Sequence, residues 1–165
     1  MRHSQATRAV LASLTTLLVA AAALGAQAKS MSVRADRQPI FLKTSQLTWS
    51  PLEIPGFPPG LQIAVLNGDP SMAGKPYAIR VRFPAGYHFP AHWHPMDENV
   101  TVISGTFYLG MGSSSSAGTA KAYQAGDFLS LPSHRPHYGW VEGATDVQLH
   151  GTGPFQTTVV EQAKP

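Results

Sequence analysis

The chain has no cysteine among its 165 residues. That excludes a disulfide framework, a thiolate metal site and a cysteine nucleophile. G-x-S-x-G is missing too, so nothing supports serine nucleophile chemistry. Charge is scarce, at 13% Asp, Glu, Lys and Arg, and no cluster of Lys or Arg marks a nucleic-acid or membrane surface. Beyond the N-terminus, no stretch holds an apolar period of ~3.6 over about ten residues, which argues against a helical fold.

What is present begins with a leader. Arg2 and Arg8 precede the apolar run from Ala9 to Gly25, and Ala26-Gln27-Ala28 supplies an A-x-A cleavage pattern. This is the anatomy of a secretory signal peptide over residues 1–28, cleaved after Ala28, which predicts a periplasmic or secreted protein. The run is too short for a spanning helix of ~20 apolar residues and is interrupted by Ser13, Thr15 and Thr16. With no cysteine to acylate, no lipid anchor follows, and no membrane association is expected after cleavage. Arg2 and Arg8 leave with the leader, so twelve Lys and Arg fall to ten against nine Asp and Glu. The near-neutral remainder is one domain's worth of chain, stabilised by a core or by a core and a metal.

Residues 29–60 read as an N-terminal arm and a proline-rich loop, because Ser50-Pro51 and Ile54-Pro55-Gly56-Phe57-Pro58-Pro59-Gly60 exclude helix. From residue 61 to 165 short apolar or alternating runs follow one another, at 61–66, 77–83, 99–104, 106–111, 121–124, 127–132, 137–141, 146–150 and 155–161. Gly, Pro or Asp-Gly breaks separate nearly all of them, which predicts an all-β sandwich or barrel. In 77–83, Tyr77, Ile79, Val81 and Phe83 share one face and Arg80 and Arg82 the other. The serine run of 112–119 reads as a hairpin tip.

Between two prolines lies A-H-W-H, with a glutamate four residues on. On an extended strand His92 and His94 point to the same face, close enough for two imidazoles to meet one ion. Pro95 breaks the strand, and a turn through Met96 and Asp97 starts the return. Glu98 then shares a face with Val100 and Val102, while Asp97 shares one with Asn99 and Thr101. A carboxylate on the apolar face is costly unless it meets a cation.

Gly86-x5-His92-x-His94-x3-Glu98-x6-Gly105 resembles the first motif of the cupin superfamily, and Gly126-x5-Pro132-x-His134-x2-His137 resembles the second. The departures are His134 in place of the usual Gly and Val141 where Asn is common. The resemblance implies an all-β cupin jelly-roll β-barrel of antiparallel strands. It also implies one divalent metal ion held by His92, His94, Glu98 and His137. His88 is expected at the surface or supporting the site, His134 at the pocket rim, and His150 either lining the pocket or facing solvent.

Nitrogen and oxygen donors suit Fe, Mn, Ni, Co or Zn alike. A six-coordinate ion would keep two positions for a chelating small molecule, whereas a tetrahedral Zn would be closed. Phe83, Phe89, Trp93, Phe107, Tyr108, Tyr138 and Trp140 flank the ligand positions, and alternation puts about half of them inside. Two functions remain open. One is a metal-dependent enzyme, dioxygenase-like or isomerase-like, acting on a small oxygenated molecule with Tyr108, Tyr138 or His150 moving protons. The other is a non-catalytic binding protein with a structural metal. The enzyme is preferred, because a full ligand set in an aromatic pocket exceeds what stability requires. A homodimer is expected to use the 77–83 strand.

Overall fold

The structure is a computed structural model that describes residues 38–114 and 119–160. The leader, most of the residues assigned to the arm, and the middle of the serine run lie outside the described residues. The described residues from Leu42 onward belong to one compact unit. The proline-rich segment belongs to the barrel because Leu52, Ile54 and Phe57 pack on the core.

Among the described residues, a short 3-10 turn, Thr44–Gln46, precedes eleven strands. They are β1 Ser50–Pro51, β2 Gln62–Asn67, β3 Pro76–Phe83, β4 His88–Trp93, β5 Glu98–Ser104, β6 Thr106–Met111, β7 Lys121–Gln124, β8 Phe128–Leu131, β9 His137–Val141, β10 Thr145–Thr152 and β11 Thr158–Val159. All pairings are antiparallel. They build a six-stranded sheet in the order β1-β2-β3-β10-β5-β8 and a five-stranded sheet in the order β11-β4-β9-β6-β7. Of the 155–161 run, the described residues form strand only at Thr158–Val159, and the part before it is held by irregular contacts, with the Phe155 N–H donating to the Pro70 carbonyl at 2.7 Å.

Alternation governs what lies between the sheets. In β3, Tyr77, Ile79, Val81 and Phe83 are buried and the arginines half-buried. In β10, Val147 and Leu149 are buried while Gln148 and His150 face outward. Phe83, Phe89 and Phe107 pack together at centroid distances of 5.6 to 5.7 Å. Gly105, at φ 79, turns β5 into β6 where any Cβ would strike Thr145 and the Ala144 carbonyl.

β3 is an internal strand, paired on both edges by β2 and β10. A dimer contact there has only its outer face, and that face is polar. Arg82 makes a bidentate pair with Asp146 at 2.8 Å for both bonds and lies 4.0 Å from the centre of the Trp49 ring.

Candidate metal centre

Two neighbouring strands, β4 and β9, deliver the imidazoles. His92 lies near the end of β4, His137 opens β9 directly opposite it in register, and His94 follows β4 by one residue. The β4–β9 ladder is irregular between Phe89 and His92, where two residues of β4 face Tyr138 alone. This bulge changes parity. His88 is therefore exposed although it is an even number of residues from His92, which is 5% exposed.

The turn after Pro95 places Glu98 first in β5, buried beside Val100 and Val102, with Asp97 exposed and accepting a hydrogen bond from the Ser133 amide at 2.8 Å. His134 takes φ 58 in the second turn. It adopts the left-handed backbone that a Gly would supply, and its N–H donates to the His94 carbonyl at 2.8 Å. The substitution thus leaves the turn intact, and His134 packs on Trp93 at 4.8 Å.

His92, His94 and His137 bring three ligand atoms within 4.8 Å of one another, a group able to hold a metal ion. Glu98 Oε2 stands 3.5 Å from the Nε2 atoms of both His94 and His137. The other ring nitrogens decide the chemistry. His92 Nδ1 faces the Pro90 carbonyl at 2.8 Å, His94 Nδ1 the Gln156 carbonyl at 2.7 Å, and His137 Nδ1 the Arg135 carbonyl at 3.0 Å. A carbonyl only accepts, so each Nδ1 carries the proton and each neutral ring turns its Nε2 lone pair inward. His94 Nε2 is buried without a hydrogen-bond partner. Three lone pairs and a carboxylate, acceptors all, meet in one apolar place, and a cation satisfies them together.

Electrostatics agree. Burial, then the charge of neighbouring His137, pushes His92 down to about 3. Burial raises the Glu98 carboxyl, but its contact with His137 and the charges of the imidazoles lower it by more, leaving it below its ordinary value.

The His92 shift has a consequence for metal-free protein. Unfolded, this ring titrates near 6.5, and folded near 3, so between those values the unfolded chain binds more protons. Stability is then complete above the unfolded value and falls as pH drops toward the folded one. Chelator-treated protein is expected to lose about 2 kcal/mol between about pH 7 and pH 5 in urea unfolding. A flat profile would mean that His92 is not held neutral.

The remaining candidates stand elsewhere. The cavity is lined by the three histidines, Glu98, Thr157, aliphatic side chains and the phenylalanines Phe57, Phe83, Phe89, Phe107 and Phe155. Tyr108, Tyr138 and His150, expected to move protons there, are not on its wall. Tyr108 lies on the outer face of β6, stacked on Trp140 at 5.0 Å, with His88 on the other side of that indole at 6.1 Å. Tyr138 faces away from His137 by alternation, fills the space over Gly110 and shares a 2.6 Å hydrogen bond with Thr119. His150 is on the outer face of β10 beside Phe128. For each, period-two alternation fixes the side, and the pocket is on the other.

Sequence reasoning missed two aromatics. Phe57 sets its edge on His92 at 4.9 Å, and Phe155 stacks on His94 at 5.2 Å. Both come from irregular segments, where periodicity carries no signal. Their one trace was an aromatic inside a proline-rich or glycine-rich run.

Residues 79–152 match the family model described as Cupin domain. No curated protein matches the chain. Among solved structures, an RmlC-like cupin from Shewanella frigidimarina is 19% identical, with a TM-score of 0.53 over 70% of this chain and 91% of that one. The polyketide cyclase RemF from Streptomyces resistomycificus is 16% identical, at 0.60 over 77% and 89%. A proposed acetylacetone dioxygenase from Methylibium petroleiphilum is 18% identical, at 0.58 over 78% and 85%. At these identities the likeness is one of fold.

Proposed function

We propose that this chain, whose residues 79–152 match the Cupin domain model, is a small single-domain cupin and an exported metal-dependent enzyme acting on a small oxygenated molecule. The reaction is dioxygenase-like or isomerase-like. One divalent ion is held by the Nε2 atoms of His92, His94 and His137 and by the Glu98 carboxylate. The observation that carries this reading is the convergence of acceptors without a donor, each imidazole oriented by a backbone carbonyl. When bound, the ion supplies Lewis acidity and a template for chelation. The chain's own part is to fix the imidazoles, keep the walls dry and handle protons. Among the described residues, Glu98 is the only carboxylate lining the cavity, so proton movement falls to it rather than to Tyr108, Tyr138 or His150. Export rests on the leader. A homodimer is proposed through the outer face of the six-stranded sheet, where β3 lies.

A second reading, a non-catalytic protein with a structural ion, is favoured by the size of the cavity, only about 50 Å³. One experiment separates them. Protein reconstituted with Fe(II) or Mn(II) is offered a panel of small oxygen-chelating molecules while dioxygen and substrate are followed. Turnover of at least one is expected. Inertness across the panel with a stoichiometric ion bound would favour the structural reading.

A further inference from the structure

The cavity holds about 50 Å³, room for a few waters, whereas small-molecule sites run from about 300 Å³ upward. Any organic molecule that reaches the imidazoles must therefore displace part of the wall. Sheet strands are poor candidates, since each is tied by ladder hydrogen bonds. Two irregular segments close the rest, residues 52–61 with Leu52, Ile54 and Phe57, and residues 153–157 with Phe155 and Thr157.

They are not held equally. The second segment is anchored on three sides. Gly153 exchanges hydrogen bonds with Gly74 and Lys75, Phe155 N–H donates to the Pro70 carbonyl at 2.7 Å, and the Gln156 carbonyl accepts from His94. Moving it would release a ligand. The first segment is a closed loop, pinned at its base by Leu52 N–H to the Leu61 carbonyl at 2.9 Å and folded on itself by Phe57 N–H to the Ile54 carbonyl at 3.0 Å. Among the described residues, one hydrogen bond ties its tip to the barrel, from the Tyr87 hydroxyl to the Pro58 carbonyl. Lifting this loop costs that bond and the apolar contacts of Leu52, Ile54 and Phe57.

The wall it uncovers has a marked chemistry. Among the described residues no Lys or Arg lines the cavity, and apart from the histidines and Glu98 the only polar side chain is that of Thr157. An ionised group on the far end of a ligand would be buried without a counter-charge, which is strongly unfavourable. A hydrocarbon body would replace the contacts that Phe57 gives up.

We propose that residues 52–61 are the lid over the metal centre, latched by Tyr87 on Pro58, and that Phe57 selects for an uncharged molecule with an apolar body and a two-oxygen chelating head. This rests on the metal reading above and adds to it the entrance and the class of molecule admitted. The ionic sugars and polycarboxylates are excluded by the missing cations, even though they chelate well.

The test uses the full chain loaded with cobalt(II), whose visible absorption reports ligand entry. Catechol and its disulfonated derivative share a chelating head and differ in charge. Catechol is expected to bind at least about tenfold more tightly than the disulfonate, and Phe57→Ala to weaken that preference. The entrance is tested by rate. An added Cβ at Gly56 lies 3.5 Å from the Val159 Cβ, at the short end of the range for a disulfide, about 3.5–4.5 Å. β11 is paired to β4, with Val159 opposite His92, so a Gly56→Cys/Val159→Cys bridge staples the lid to the sheet. The natural chain has no thiol to interfere. Catechol entry is expected to slow by about tenfold or more in the oxidised protein and to recover on reduction. Comparing two redox states of one protein cancels any cost of placing Cys at φ 84.

Tyr87→Phe keeps the ring and removes the latch, and is expected to speed entry. Equal affinity for the two catechols would overturn the assigned class. A staple without effect would overturn the lid and leave the groove beside Leu109 and Leu131, between β7 and β8, as the entrance. A chain that takes up no cobalt(II) would overturn the metal reading itself, an outcome distinct from both.

Discussion

His94→Ala is expected to reduce bound metal from about one ion per chain to less than about a tenth of that and to abolish the stabilisation that metal confers. The ring is 6% exposed, stacked on Phe155, and holds its Nδ1 on the Gln156 carbonyl. Its removal opens a hole and strands that carbonyl, an ion-independent loss of about 2–4 kcal/mol. The ion adds its own term, roughly 4 kcal/mol when free metal is a thousand times its dissociation constant. The two are separated by melting wild type and variant with and without a chelator. Wild type should shift by about 10 °C or more between the two conditions and the variant scarcely at all. Identical melting of wild-type protein in both conditions, with no ion found by elemental analysis, would end the metal claim.

Glu98→Leu is expected to act with opposite sign in the two states. With the ion present, it removes a ligand and leaves three neutral imidazoles to hold a cation alone, so metal content and melting temperature fall. With the ion stripped, it replaces a wholly enclosed carboxylate by an apolar side chain of similar length beside Val100, Leu131 and Leu149. That is expected to stabilise the chain by about 1–3 kcal/mol, since buried charges are often less favourable than hydrophobic replacements. Chelator-treated variant and wild type are compared by denaturant unfolding. A loss of stability in both states would mean that Glu98 serves packing or the His137 contact rather than an ion. The prediction turns on parity alone: had Asp97 been the inward acid, the swap at position 98 would touch only the surface.

Parity is also where the sequence was most legible. The faces of β3 and β5 follow strict alternation, so Glu98 was separable from Asp97 by counting, and His92 and His94 by their spacing. The β6, β7 and β9 runs coincide with strands because Gly and Pro bound them on both sides. What alternation could not carry was the change of phase after Phe89, where a bulge leaves His88 in solvent, and the sign of residues such as Tyr138, whose burial comes from Gly110 and Thr119 on the outer face rather than from the core. Tyr138 and His150 looked serviceable because they are polar and near the motifs in sequence. Their positions follow from the strand neighbours they face, and those are fixed by long-range pairing. Phe57 and Phe155 were invisible for a related reason: loops obey no period, and only packing shows which of their side chains turn inward.

The row on the outside of the five-stranded sheet, with Trp140 between His88 and Tyr108, has a practical use. Trp140 shares β9 with His137, and Trp93 sits in sequence between the other two imidazoles. Two of the three indoles in the chain are thus built into the strands that carry the ligand positions. The protein comes with its own fluorescent gauges of what happens at its centre, and a paramagnetic ion and zinc can be told apart by emission without any label.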